Sequence, residues 1–171
     1  GFLYMFISIC ASSVRDVIVK WSEDYPVGQV VFFRGLCGMI PILFLIPKDR
    51  YFDFYKTKRP FLHLKRCLAG LIAIVAIFIA LRKLPLATVV SITFAAPIFT
   101  TILSIFFLNE KVGLYRWMAV IVGFIGIIVI SEPGYSSLNI YYIYPIIFCL
   151  GLSYVAITIR QLSSTEPVWL I

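Results

Sequence analysis

Along the whole chain, apolar runs about as long as a bilayer is thick alternate with short clusters of charge, proline and glycine. Crossing about 30 Å of hydrocarbon takes about 20 helical residues. Runs near 2–20, 28–47, 62–81, 86–108, 114–130 and 139–159 come close to that length. In lipid every backbone N–H and C=O needs an internal partner, which leaves helices or a closed barrel as spanning structures. These runs are too long, and alternate too little, for barrel strands. The pattern predicts an all-α polytopic membrane protein, a bundle of six spans. Short links such as Arg82-Lys83-Leu84-Pro85 make neighbouring spans antiparallel, and one longer connection runs from Lys48 to Phe61.

Composition agrees with lipid as the solvent. Of 171 residues, 61% are hydrophobic and 13% charged, with a mean hydropathy of +1.00; a soluble domain carries about a quarter charged residues. The net charge of +7 does not mark a nucleic-acid partner, because spans interrupt the basic residues and these gather at span ends. Their distribution gives an orientation. Ten fall on one side (Lys48, Arg50, Lys56, Lys58, Arg59, Lys65, Arg66, Lys111, Arg116 and Arg160) and three on the other (Lys20, Arg82 and Lys83). Cytoplasmic loops collect Lys and Arg, so the N-terminus is expected in the cytoplasm. The first run leads into Arg15 and Asp16 without a cleavage site and is expected to be retained. Gly1 is not an initiator methionine, and Pro167 to Ile171 read as the opening of another helix, so a longer protein is expected. Cys10, Cys37, Cys67 and Cys149 each sit alone in separate runs, a spacing that suits packing and no metal.

Polar residues inside the spans narrow the candidates for chemistry. Arg34 follows Phe32-Phe33 in the second span, with Gly38 and Pro41 on its face. An arginine toward the bilayer centre costs about 2.5–3.5 kcal/mol on insertion scales, which a cavity or a partner relieves and a snorkelling stem avoids. Ser8, Ser12, Asp16 and Lys20 share a stripe of the first span, with Arg15 beside it. Asp16 is a candidate for coupling, or for an ion pair with Lys20 one turn away. Thr93, Pro97, Thr100 and Ser104 share a face of the fourth span as candidates for the solute path. Pro97 cannot donate to the carbonyl of Thr93, which predicts a kink and an acceptor deep in the membrane. Glu110 beside Lys111 is a further coupling candidate or a solvated loop pair. Small residues at Ala69, Ala73, Ala76 and Ala80 in the third span, and at Ala119, Gly123 and Gly126 in the fifth, predict close helix approach. No paired carboxylates, metal motif, nucleophile elbow or phosphate loop points to an enzyme or to a cofactor.

Ser13 and Lys20, followed by Pro26-Val27, return as Ser153 and Arg160, followed by Pro167-Val168. The sixth span thus reads as a second copy of the first, and a five-span unit repeated in tandem must insert upside down, a plan recurring in secondary transporters. The chain resembles the drug/metabolite transporter superfamily, in particular its EamA family. The matching residues are Asp16 to Lys20, Phe33-Arg34, Leu84-Pro85-Leu86-Ala87, Phe94 to Phe99 around Pro97, Leu108-Asn109-Glu110, Arg116-Trp117, and Gly123-Phe124-Ile125-Gly126 closing on Pro133. The resemblance implies ten helices in two inverted five-helix repeats in the inner membrane, with 1–133 as the first repeat and 139–171 as the start of the second. It also implies transport of small organic metabolites such as amino acids, nucleosides or cofactors. Phe33-Arg34 with Pro97-Ile98-Phe99 is similar to the pattern of bacterial S-adenosylmethionine uptake carriers within the family. Two alternatives stand beside this one: a small multidrug-type exporter, whose family relies on a glutamate in its first helix where this chain has only Asp16, and a non-transporting membrane assembly or sensor protein. The partners expected are a small-molecule metabolite and the lipid bilayer; oligomeric state is left open.

Overall fold

The computed structural model describes residues 2–22, 24–45, 57, 59–108, 113–131 and 140–164. Helices account for nearly all of them, in the order α1 (Phe2–Trp21), α2 (Val27–Leu45), α3 (Pro60–Lys83), α4 (Leu86–Thr93), α5 (Ala96–Leu108), α6 (Leu114–Ser131), a 3₁₀ turn (Ile140–Tyr142) and α7 (Ile143–Ser163). Four helical stretches are long and apolar enough to cross a membrane: α1, α3, α4 with α5 taken together, and α7 with its leading turn. The architecture is that of an all-α polytopic membrane protein. Five of the six expected spans correspond to one helix each, and the fourth is two.

α3 is the hub, packing against α7, α1, α2 and α4. Its small residues explain why. Ala73, Ala76 and Ala80 are buried, and a Cβ built on Gly151 of α7 would stand 2.8 Å from the Cβ of Ala73 and 3.0 Å from the carbonyl oxygen of Ala69. Lipid tails are as apolar as leucine, so helices associate in lipid by such close packing and not by hydrophobic drive. The expected small face of α6 does not behave in this way: among the described residues, nothing lies within 4 Å of a Cβ at Gly123 or Gly126. Most apolar side chains of α1 and α6, and of the described part of α2, are exposed, as suits helices that meet lipid or further protein.

Helix ends fix the relative directions. Lys20, near the end of α1, donates from Nζ to the carbonyl of Leu84, the residue that closes α3, at 3.3 Å. Arg82 donates to the carbonyls of Ser22 (2.8 Å) and Tyr25 in the α1–α2 link. Carbonyls left over at helix C-termini carry partial negative charge, and cationic donors satisfy them. α1 and α3 are therefore parallel. At the opposite end, the start of α3 meets the ends of α5 and α7 around Lys65, Phe107 and Gln161, and Gln161 donates from Nε2 to the carbonyl of Phe107 at 3.2 Å. α7 thus runs antiparallel to both α3 and α1.

The expected kink in the fourth span is present: the helix is interrupted at Phe94 and Ala95, inside the turn between Thr93 and Pro97 that lacks the proline's hydrogen bond. The N–H of Ala95 turns back to the carbonyl of Ile92 at 2.9 Å, a tight three-residue closure that ends α4. Pro97 consequently falls in the first turn of α5, where a missing N–H costs nothing. Carbonyls around the break find donors on α7. Ser153 Oγ bonds to the carbonyl of Ala96 at 3.0 Å, and Cys149 Sγ lies 3.5 Å from that of Ile92 and 3.9 Å from that of Thr93.

Candidate functional site

A cavity of about 370 Å³ lies between α1, α2, α3, α4 and α7. Mainly apolar residues line it, and against them stand three charged side chains: Arg15 and Asp16 of α1 and Arg34 of α2. Arg34 sits near the middle of its helix, and its guanidinium carbon stands 5.8 Å from the ring centroid of Phe78, within cation–π range. Phe78 belongs to α3 and is buried. Phe148 of α7 and Thr93 at the end of α4 complete the polar and aromatic part of the wall. The hydroxyl of Thr93 donates to the carbonyl of Val90 at 2.7 Å, which leaves its oxygen able to accept.

Asp16 pairs with its sequence neighbour. Arg15 donates from Nε at 2.9 Å and from a terminal nitrogen at 2.7 Å, and both bonds end on the same oxygen, Oδ1. The pair expected between Asp16 and Lys20 does not form, because Lys20 is drawn to the end of α3. Lys20 is therefore outside the cavity. The face expected of Thr93, Pro97, Thr100 and Ser104 is divided by the α4–α5 break. Thr93 reaches the cavity, whereas Pro97 is exposed. Thr100 donates to the carbonyl of Ala96 and shares a 2.9 Å bond with Ser153. Ser104 is buried and bonds back to the carbonyl of Thr101 at 2.8 Å. Nothing lies within 4 Å of a Cβ at Gly38; Glu110 and the side chain of Pro41 lie outside the described residues. Among the described residues no cluster of three metal-ligating side chains occurs, and the four cysteines are free thiols.

Residues 1–132 match the EamA-like transporter family. The chain belongs to that family. Among curated relatives, it is 31% identical over 155 residues to the S-adenosylmethionine uptake transporter of Rickettsia prowazekii (strain Madrid E), an overlap of 90% of this chain and 52% of that protein. It is 26% identical over 171 residues to the pseudopaline exporter CntI of Pseudomonas aeruginosa (strain UCBPP-PA14), covering 99% of this chain and 60% of the exporter. A riboflavin transporter of Rhizobium johnstonii (strain DSM 114642 / LMG 32736 / 3841) is 24% identical over 180 residues, with 100% and 59% covered. The chain spans about half the length of the curated relatives it matches. No solved structure matches.

Sequence patterns alone did not mark Phe78, Phe148 or Gly151. Phe78 is one of many aromatic residues in apolar runs, and only the packing of α3 turns it under Arg34. Gly151 follows Leu150 in a run whose small-residue spacing is not regular. Arg15 was visible beside Asp16, but its role as the partner of that carboxylate depends on side-chain geometry.

Proposed function

We propose that this chain forms one five-helix repeat (1–133) and the opening of a second (139–171) of a secondary transporter carrying small organic metabolites, not an enzyme, with the cavity around Arg34 as part of the solute path. The observation that carries this is the placement of three charged side chains on one apolar cavity inside a family of transporters. Charged groups in membrane spans mark pathways, because their cost is otherwise unrelieved. The antiparallel course of α1 and α7, together with their shared Ser and Lys/Arg spacing, supports an inverted second repeat. S-adenosylmethionine is the leading solute, from the names of relatives above 30% identity. Its carboxylate suits Arg34, and its adenine ring suits the aromatic wall. Purified full-length protein in proteoliposomes is expected to take up labelled S-adenosylmethionine faster than empty vesicles, and unlabelled S-adenosylmethionine in excess is expected to suppress that uptake. Uptake no faster than through empty vesicles would exclude this solute.

The N-terminus and the 48–61 connection lie in the cytoplasm of a cell whose inner membrane holds the protein. The ten-to-three basic bias supports this, and so does the use made of the minority residues, since Lys20 and Arg82 are spent on helix-end carbonyls. In intact cells, a cysteine at position 136 should react with an impermeant thiol reagent and one at position 56 should not. The opposite pattern would invert the topology.

A further inference from the structure

Arg15 spends two hydrogen bonds on a single oxygen of Asp16. Among the described residues, Oδ2 of Asp16 accepts no hydrogen bond, and Arg34 faces the same cavity with an aromatic ring for company and no carboxylate within ion-pair distance. The cavity thus presents two groups of opposite character: an acceptor edge on α1 and a donor fork on α2. An isolated Asp16 carboxylate would be costly among these apolar walls, and Arg15 supplies its counter-ion. That arrangement is replaceable. Arg15 is attached through one oxygen only, its side chain is 43% exposed, and its stem is long enough to swing away without moving the helix.

We propose that Arg15 is a displaceable internal counter-ion: a cationic centre of the solute, the sulfonium in S-adenosylmethionine, takes its place on Asp16, while the solute's carboxylate binds the guanidinium fork of Arg34. The site thereby selects solutes that carry a cation and a carboxylate on one skeleton. This rests on the assignment of the cavity as the solute site. A carboxylate alone fills only Arg34 and leaves Asp16 held by Arg15. A cation alone adds positive charge to a group of side chains that already sums to one excess positive charge, with nothing to offset it. Arginine fits both parts, because its charge is permanent and its planar fork binds oxygen pairs well.

The test compares S-adenosylmethionine with S-adenosylhomocysteine, which keeps the ammonium and the carboxylate but has a neutral thioether where S-adenosylmethionine has its sulfonium, in full-length protein in proteoliposomes. The quantity read is the ratio of their inhibition constants against labelled S-adenosylmethionine. Asp16→Asn is expected to move this ratio against the sulfonium by about tenfold, since a charge-assisted contact is lost. Arg15→Gln, which removes the competing cation, is expected to move it the other way. Arg15→Lys keeps the charge and should leave the ratio within about twofold. A purely structural pair would lower uptake in both charge-removing variants without separating the two compounds, and such a result would overturn the proposal. Should the wild-type protein not carry S-adenosylmethionine, the named solute falls independently. The charge rule is then read from thermal stabilisation of the same protein by 6-aminohexanoate and by hexylamine: greater stabilisation by the zwitterion supports it, and equal or no stabilisation overturns it.

Discussion

Alanine at Arg34 is expected to lower solute uptake by about a hundredfold in the full-length protein, at unchanged amounts in the membrane. Removing one member of a desolvated charge contact costs about 2–5 kcal/mol, and each 1.4 kcal/mol is a factor of ten. Lysine at the same position keeps the charge but not the fork, so an intermediate loss of about tenfold is expected. The structure gives a reason to expect this order. Arg34 lies near the middle of α2, on the cavity wall and over Phe78, where a compact ammonium group would neither stack in the same way nor bind two oxygens at once. The measurement is the initial rate at low solute concentration, normalised to inserted protein. Wild-type rates for both variants would make Arg34 a membrane anchor and remove it from the solute path.

The second large effect is on stability. Gly151→Val is expected to push α7 away from α3, the most extensive helix pairing among the described residues. Even the first carbon of a side chain there would stand 2.8 Å from the Cβ of Ala73 and 3.0 Å from the backbone oxygen of Ala69. Backbone oxygen cannot rotate out of the way as a flexible side chain does. Overpacking of this kind costs about 1–3 kcal/mol and occasionally more, which corresponds to a fall in melting temperature of about 2–12 °C for a chain of this size. Thermal unfolding in detergent, followed by circular dichroism, reads the change. Gly151→Ala alone should give a smaller fall, and combining it with Ala73→Gly should recover part of it by reopening the space. Melting temperatures equal to wild type for both Gly151 variants would mean that α3 and α7 are not held this close.

The membrane-length helices were legible because the physics that sets them is local: about 20 apolar residues in a row are enough, whatever they pack against. The small face of α3 was legible for a related reason, since Ala69, Ala73, Ala76 and Ala80 recur at the helical period. The same kind of spacing in α6 brings no atom of the described residues within 4 Å of a Cβ at Gly123 or Gly126, because a small face only permits a neighbour and does not supply one. Pro97 announced an irregularity in the fourth span. Its place, between Thr93 and Pro97, followed from the missing proline N–H; the closure at Ala95 that lets Pro97 sit in the first turn of the next helix did not. The partner of Asp16 was hidden by competition. Lys20 is one helical turn away, yet a carbonyl 64 residues further along the chain claims it, and the adjacent Arg15 folds back onto the carboxylate instead. Long-range claims on a side chain leave no trace in its neighbourhood of the sequence.

The bonds that α7 makes around the α4–α5 break have a mechanical consequence. Cys149 attaches to the last carbonyls of α4, and Ser153, one turn along the same helix, attaches to the first of α5. The two leaves of the hinge are thus pinned to one rod. If α4 bends relative to α5, the pins must either slip or drag α7 with them, and α7 also forms a wall of the cavity through Phe148. Motion at a joint made from one segment of the chain is therefore geared to the outline of a chamber bounded by four others.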